Sequence, residues 1–246
     1  MSFVSRVQRR LRGELSPPVP FACRDSVATR VFSMDDEPYK PSPRLLKLTS
    51  EAILSAADLD FSDLMQRPKM PAFLPVWPGE HYRLLAALTT LLRPTTVIEI
   101  GTFTGWATLV LCKYLPEGGR VATFDIIPWK ELAHTCLQTS DFADGRLVQH
   151  VDDLADPAVA NKHRALLASA ELIFIDGPHD GPTEYRMLEQ LAKVPFITPP
   201  LLVFDDIKLP TMLKFWRDLP YAKLDVTSFG HWSGTGLADW QPSKKI

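Results

Sequence analysis

Val97-Ile-Glu-Ile-Gly-Thr-Phe-Thr-Gly-Trp-Ala-Thr108 stands near the middle of the chain. A short apolar run carrying one acid, Glu99, breaks at Gly101 and again at Gly105. The residues that follow, Trp106 to Leu115, are apolar enough for a buried helix. Buried strand, glycine turn and helix in that order form a nucleotide-binding corner. Glycine lets the backbone approach a ligand closely, and the helix N-terminus presents unpaired N–H groups to a carboxylate or hydroxyl. The spacing is G-x-x-x-G. It lacks the third glycine of a dinucleotide fingerprint and the Lys-Ser/Thr of a phosphate loop, which argues against a nicotinamide dehydrogenase.

Working outward, a helix is expected over Pro78–Leu92, with proline in its first turn and an apolar stripe. Strands are expected at Thr96–Ile100, Arg120–Asp125, Arg146–Val151, Glu171–Asp176 and Pro200–Asp205. Helices are expected after Gly105, over Lys130–Thr139, around Pro157–Ser169, and over Thr183–Lys193 and Thr211–Leu219. Two further strand-like pieces, Ala222–Phe229 and Gly236–Trp240, are joined by a short Gly-rich link. This alternation predicts an α/β fold: a doubly wound, mostly parallel, seven-stranded Rossmann-like sheet with an antiparallel C-terminal hairpin.

Of 22 prolines, eleven precede the glycine motif. Residues 1–75 are therefore read as an irregular N-terminal arm with one helix, near Pro43 to Ala57, and residues 76–246 as the cofactor-binding domain. The length of 246 residues suits one such domain with an extra segment. With 46% hydrophobic residues and a net charge of −2, the composition supplies no basic face for nucleic acid. Cys23, Cys112 and Cys136 have neither metal-ligand spacing nor an even count for disulfides, and Cys112 reads as a buried thiol. Neither a membrane-spanning run nor a signal-peptide core is found, so a cytoplasmic location is expected. The basic amphipathic stretch Met1–Arg12 reads as a solvated end helix, with docking on a membrane surface or a partner as the alternative.

The string E-I-G-T-F-T-G-W-A-T-L resembles the first motif of class I S-adenosylmethionine-dependent methyltransferases. Among these it is most similar to the small O-methyltransferases related to the catechol and caffeoyl-CoA enzymes. The resemblance runs over roughly residues 78–240 and implies S-adenosylmethionine as cofactor. On that basis Glu99 fixes the methionine end, and the backbone around Gly101, Thr102, Phe103, Gly105 and Trp106 lines it. Asp125, 24 residues beyond Gly101 at the end of a strand, suits the ribose hydroxyls, as an acid at that distance does in dinucleotide folds. Ile126 follows it in the cofactor site, and Asp152 or Asp153 takes the adenine amine.

The reacting half of the expected site is Asp176-Gly-Pro-His179 and Phe204-Asp205-Asp206. In metal-dependent relatives an Asp follows strand four and an acidic pair follows strand five. Asp176 and Asp205 are 29 residues apart, which matches. Three carboxylates are hard oxygen donors suited to Mg2+ or another such divalent cation, which would lower the pKa of an acceptor hydroxyl. His179 stands where catechol-type relatives carry a lysine, as in many sugar- and antibiotic-directed relatives. Histidine there is a natural general base, with Asp176 beside it. The expected function is O-methyl transfer to a hydroxyl of a small molecule, sugar or glycan. The expected partners are that acceptor and, at most, further copies of the chain. The alternatives are N-methylation without metal and a non-catalytic subunit that scaffolds a complex.

Overall fold

The computed structural model describes residues 39–241. The stretch Met1–Arg12, Cys23 and the first part of the Pro-rich arm lie outside the described residues. Five strands run parallel: β1 (Thr96–Ile100), β2 (Arg120–Asp125), β3 (Leu147–Val151), β4 (Leu172–Ile175) and β5 (Leu201–Asp205). Two more, β6 (Lys223–Asp225) and β7 (Thr235–Asp239), are antiparallel, and the sheet order is β3-β2-β1-β4-β5-β7-β6. β1, β4 and β5 are buried at every residue, as central strands covered on both faces must be. Their near-continuous apolar sequences follow from that position.

Helices α1 (Pro43–Ala56), α3 (Tyr82–Leu92) and α4 (Trp106–Tyr114) pack together in one layer. In a second layer α7 (Pro182–Leu191) packs against α5 (Pro157–Lys162) and α8 (Leu213–Asp218). The helix expected in the arm is present. Ser42 caps it by accepting from the Leu45 amide (3.0 Å), Pro43 opens it, and Leu45, Thr49, Ala52 and Ala56 form its buried stripe. A one-turn helix, α2 (Ser62–Met65), follows. Arg83 of α3 then ties this segment down, donating to the carbonyls of Pro75 (2.6 Å), Ala56 (3.1 Å) and Leu59 (2.6 Å).

Several expectations need correction. The helix expected from Pro78 begins only at Tyr82, because Pro78 and Gly79 sit in a turn in which Gly79 has a φ of +152°. The helix expected over Lys130–Thr139 is absent, and single 3-10 turns occur at Trp129–Glu131 and Thr139–Phe142. Tertiary contacts take the backbone groups that a helix would need. The Ala133 and Cys136 carbonyls accept from Lys69 and Arg67, and the Cys136 amide donates to the Thr104 carbonyl at 2.9 Å. The helix around Pro157–Ser169 breaks at His163 into α5 and α6 (Arg164–Ala168). The strand expected over Ala222–Phe229 stops at Asp225, whose carboxylate accepts from the Thr227 amide (3.0 Å) and turns the chain. Cys112 is half-buried, and Cys136 is the fully buried thiol.

Candidate functional site

The bend after β1 is held by geometry that only glycine satisfies. Gly101 has a φ of +103°, and a Cβ there would lie 1.8 Å from the Asp176 carbonyl oxygen on the neighbouring strand end. Gly105 caps α4 with a φ of +86°, and its missing side chain makes room for Leu137. Between them Phe103 also takes a positive φ, +38°, and projects its ring outward.

Beyond the C-terminal ends of β1, β2 and β4 lies a cleft of about 540 Å³, within the range of small-molecule sites. It is lined by Gly101, Phe103, Asp125, Ile126, Asp152, Asp153, Asp176 and His179, so eight residues expected at the site meet there. This is the crevice that a parallel sheet opens where its strand order reverses, here between β1 and β4. Asp125 is locked in place: one carboxylate oxygen accepts from the Phe103 amide (2.9 Å) and the other from the Ile127 amide (3.0 Å). A carboxylate has about four acceptor positions, so acceptor capacity is left toward the cleft. The exposed apolar side chains of Phe103 and Ile126 flank it. Asp152 is held by Lys162 and by His163 (2.8 Å each), whereas Asp153 accepts from the Ala155 amide at 2.8 Å. The Lys162 and His163 bonds hold the Asp152 carboxyl below its usual range.

Four expected residues lie behind this surface. Thr102 bonds to Thr123 (2.6 Å), Gly105 faces Leu137, and Trp106 meets Phe73 edge-on at 5.4 Å. Glu99 is fully buried, one carboxylate oxygen accepting from Thr108 at 2.5 Å and the other without a partner. Burial pushes the Glu99 carboxyl up to about 8, against the opposing hydrogen bonds of Thr108 and Thr123. Between the ordinary glutamate value of 4.5 and about 8 the folded state holds more protons than the unfolded chain, so stability falls as pH rises through that window. Glu99→Gln should remove this slope. In thermal unfolding scans at about pH 5 and about pH 9, wild type is expected to lose several degrees more than the variant; equal losses would show that Glu99 is already ionised in the fold.

The reacting end is built from two strained loops. His179 (φ +55°) and Asp206 (φ +60°) both occupy the left-handed region, which is rare for residues with side chains. Three contacts outside the ring hold the His179 loop. Its amide donates to Glu184 (3.0 Å), the Gly181 amide donates to the same carboxylate (2.7 Å), and its carbonyl accepts from Thr211 (2.5 Å). As a result His179 Nε2 lies 3.2 Å from Asp176 Oδ1 and 3.4 Å from Asp206 Oδ2. Burial acts to lower the His179 pKa, but the Asp176 hydrogen bond and the surrounding carboxylates outweigh it, and the value is raised.

Asp205 does not join them. Its Oδ1 faces His81 Nδ1 at 3.4 Å and His231 Nδ1 at 3.5 Å. Among the described residues, Asp176, Asp205 and Asp206 are not one of the groups whose ligand atoms all lie within 4.8 Å of one another. Among the described residues, the ligand atoms that converge within 4.8 Å are those of His81, Asp205 and His231, and those of His150, Asp152 and His163. The sequence alone does not single out His81 or His231. The signals it carries are His81 in the first turns of the helix expected from Pro78 and His231 in a loop preceding the last strand.

Residues 98–207 match a family described as a methyltransferase domain. A stretch of 47 residues is 43% identical to catechol O-methyltransferase domain-containing protein 1 of Mus musculus, covering 19% of this chain and 18% of the mouse protein. The match thus spans less than a fifth of that relative's length. Among solved structures, the Streptomyces achromogenes O-methyltransferase TomG, involved in tomaymycin synthesis and bound to S-adenosylmethionine, is 19% identical, with 78% of this chain and 90% of TomG covered and a TM-score of 0.49. A Staphylococcus aureus protein described as a caffeoyl-CoA O-methyltransferase is 13% identical, with 80% of this chain and all of the other covered and a TM-score of 0.50. The match over residues 98–207 is to a methyltransferase domain, and the described residues have a Rossmann-like fold, in agreement with the resemblance the first motif shows. Among the described residues no helix is long and apolar enough to cross a membrane.

Proposed function

We propose that the chain is an S-adenosylmethionine-dependent O-methyltransferase acting on a hydroxyl of a small acceptor such as a sugar or specialised metabolite. The observation that carries this reading is one cleft with a fixed ribose-type acid, Asp125, at one end and a carboxylate-held histidine, His179, at the other. The cofactor's ribose is assigned to Asp125, its adenine to the Asp153 end between Phe103 and Ile126, and its methionine end to the Gly101 bend. Asp176 and Asp206 hold His179 Nε2, which leaves Nδ1 as the basic nitrogen. The acceptor O–H gives its proton to that nitrogen. The oxygen attacks the methyl carbon, and the C–S bond breaks with its electron pair going to sulfur, which yields S-adenosylhomocysteine. The sulfonium methyl is already electrophilic, so the protein's share is alignment and proton removal, and alignment alone can supply about 7–11 kcal/mol.

Incubation of enzyme and cofactor with extracts, read by mass spectrometry, should yield a product in which a methyl replaces a hydrogen, a net gain of one CH2. S-adenosylhomocysteine binding without any such product would favour a scaffold subunit, and preferential NADH binding would overturn the cofactor assignment. Asp125→Ala is expected to weaken S-adenosylhomocysteine by about a hundredfold in calorimetric titration, since hydrogen bonds to a charged group contribute about 1.5–3 kcal/mol each. Unchanged affinity would place the ribose elsewhere.

A further inference from the structure

The geometry points to a second, distinct site: a nitrogen-ligated divalent transition-metal site formed by His81, Asp205 and His231, fit for an ion such as Zn2+. Three elements that are far apart in sequence build it: the start of α3, the end of β5 and the loop leading into β7. His81 is 2% exposed and Asp205 is 4% exposed. Both ring nitrogens of His81 and Oδ1 of Asp205 are buried without a hydrogen-bond partner. An unpaired buried polar atom is costly, and two of them, His81 Nδ1 and Asp205 Oδ1, face one another and call for a ligand. The His81 ring cannot swing away readily, since it packs against Tyr82 (4.4 Å) and Phe174 (5.5 Å).

The spacing suits an ion better than hydrogen bonds. Asp205 Oδ1 stands 3.4 Å from His81 Nδ1 and 3.5 Å from His231 Nδ1, long for a charge-assisted hydrogen bond of about 2.8 Å. Two donors each about 2.1 Å from a tetrahedral ion lie about 3.4 Å apart. Asp206 Oδ1 (3.5 Å from His231 Nδ1) and Glu80 Oε2 (3.4 Å from His231 Nε2) add negative charge around the position. His231 Nδ1 is also 2.7 Å from Ser233 Oγ, which itself donates to Asp206, and loading exchanges that contact for the ion. Two imidazoles and one carboxylate select zinc, iron, cobalt or nickel over magnesium. Because Asp206 neighbours Asp205 and touches His179, an ion here would pin the loop that holds the histidine from behind. The site does not rest on the methyltransferase reading, and its test does not require turnover.

Metal-stripped protein should be titrated with Zn2+ by calorimetry and with Co2+ by visible absorption, alongside His231→Gln, His81→Gln and Asp176→Asn. One equivalent is expected to bind wild type, to give the absorption bands of low-symmetry Co2+ and to raise the Tm. Both histidine variants should weaken binding about a hundredfold, and Asp176→Asn should leave it within about threefold. His231 is partly exposed, so its variant remains informative if His81→Gln fails to fold. The assignment is overturned if wild type binds neither ion. It is equally overturned if binding survives in His231→Gln and disappears in Asp176→Asn, because the ion would then sit among the carboxylates.

Discussion

Replacing His179 with alanine is expected to lower kcat by about 10²–10⁴-fold, the usual contribution of a positioned general base, while the S-adenosylhomocysteine Kd changes by less than about threefold. The two effects separate because the ribose anchor Asp125 stands on β2, whereas His179 follows β4 and is held by Asp176, Asp206, Glu184 and Thr211. Alanine at a φ of +55° carries some backbone strain, so His179→Asn serves as the companion variant, because asparagine tolerates that conformation. Asparagine cannot take the proton, and both variants should be equally inactive at saturating acceptor. Turnover of His179→Asn within about threefold of wild type would mean that another group removes the proton or that none needs to.

The second large effect concerns the bend itself. Gly101→Ala places a methyl 1.8 Å from the Asp176 carbonyl oxygen, in a backbone conformation that L side chains rarely adopt. The opposing atom is backbone, and the Asp176 amide is itself bonded to the Ile100 carbonyl at 2.8 Å. Relief therefore requires β1 and β4 to part at the edge where the cleft opens. A cost of about 3 kcal/mol or more is expected, from overpacking and strain together, which in a chain of this size lowers the Tm by about 10 °C. Cofactor binding should be lost with it. Gly145→Ala is the control: its φ of +74° is also positive, but no atom lies within 4 Å of the added methyl. Only the strain of about 1–2 kcal/mol remains there. Similar melting temperatures for the two variants would show that the β1–β4 contact is not the constraint.

The two variants fail for different kinds of reason, and that difference marks how much of the molecule could be read from its residues. The glycine bend was legible because strand, turn and helix are contiguous. Each piece leaves a local mark, and Asp125 and His179 inherit their positions from the strand ends that carry them. The central parallel strands β1, β4 and β5 were legible for the same reason: a strand covered on both faces is apolar along most of its length. The region from Trp129 to Phe142 was not. Its helix-like residues lose their backbone partners to Lys69, Arg67 and Thr104, and nothing local to that segment reports those contacts.

The acids show the same division. By itself the sequence determined that carboxylates end the strands and that a ligand crevice opens beyond them, because side-chain periodicity and turn chemistry are local properties. Which way each carboxylate faces was decided only by the tertiary structure. Asp205 faces His81 and His231, residues 124 positions before it and 26 after it. That choice depends on how α3 and the loop before β7 pack against the end of β5, where burial shuts the Asp205 carboxylate and the His81 ring away from water.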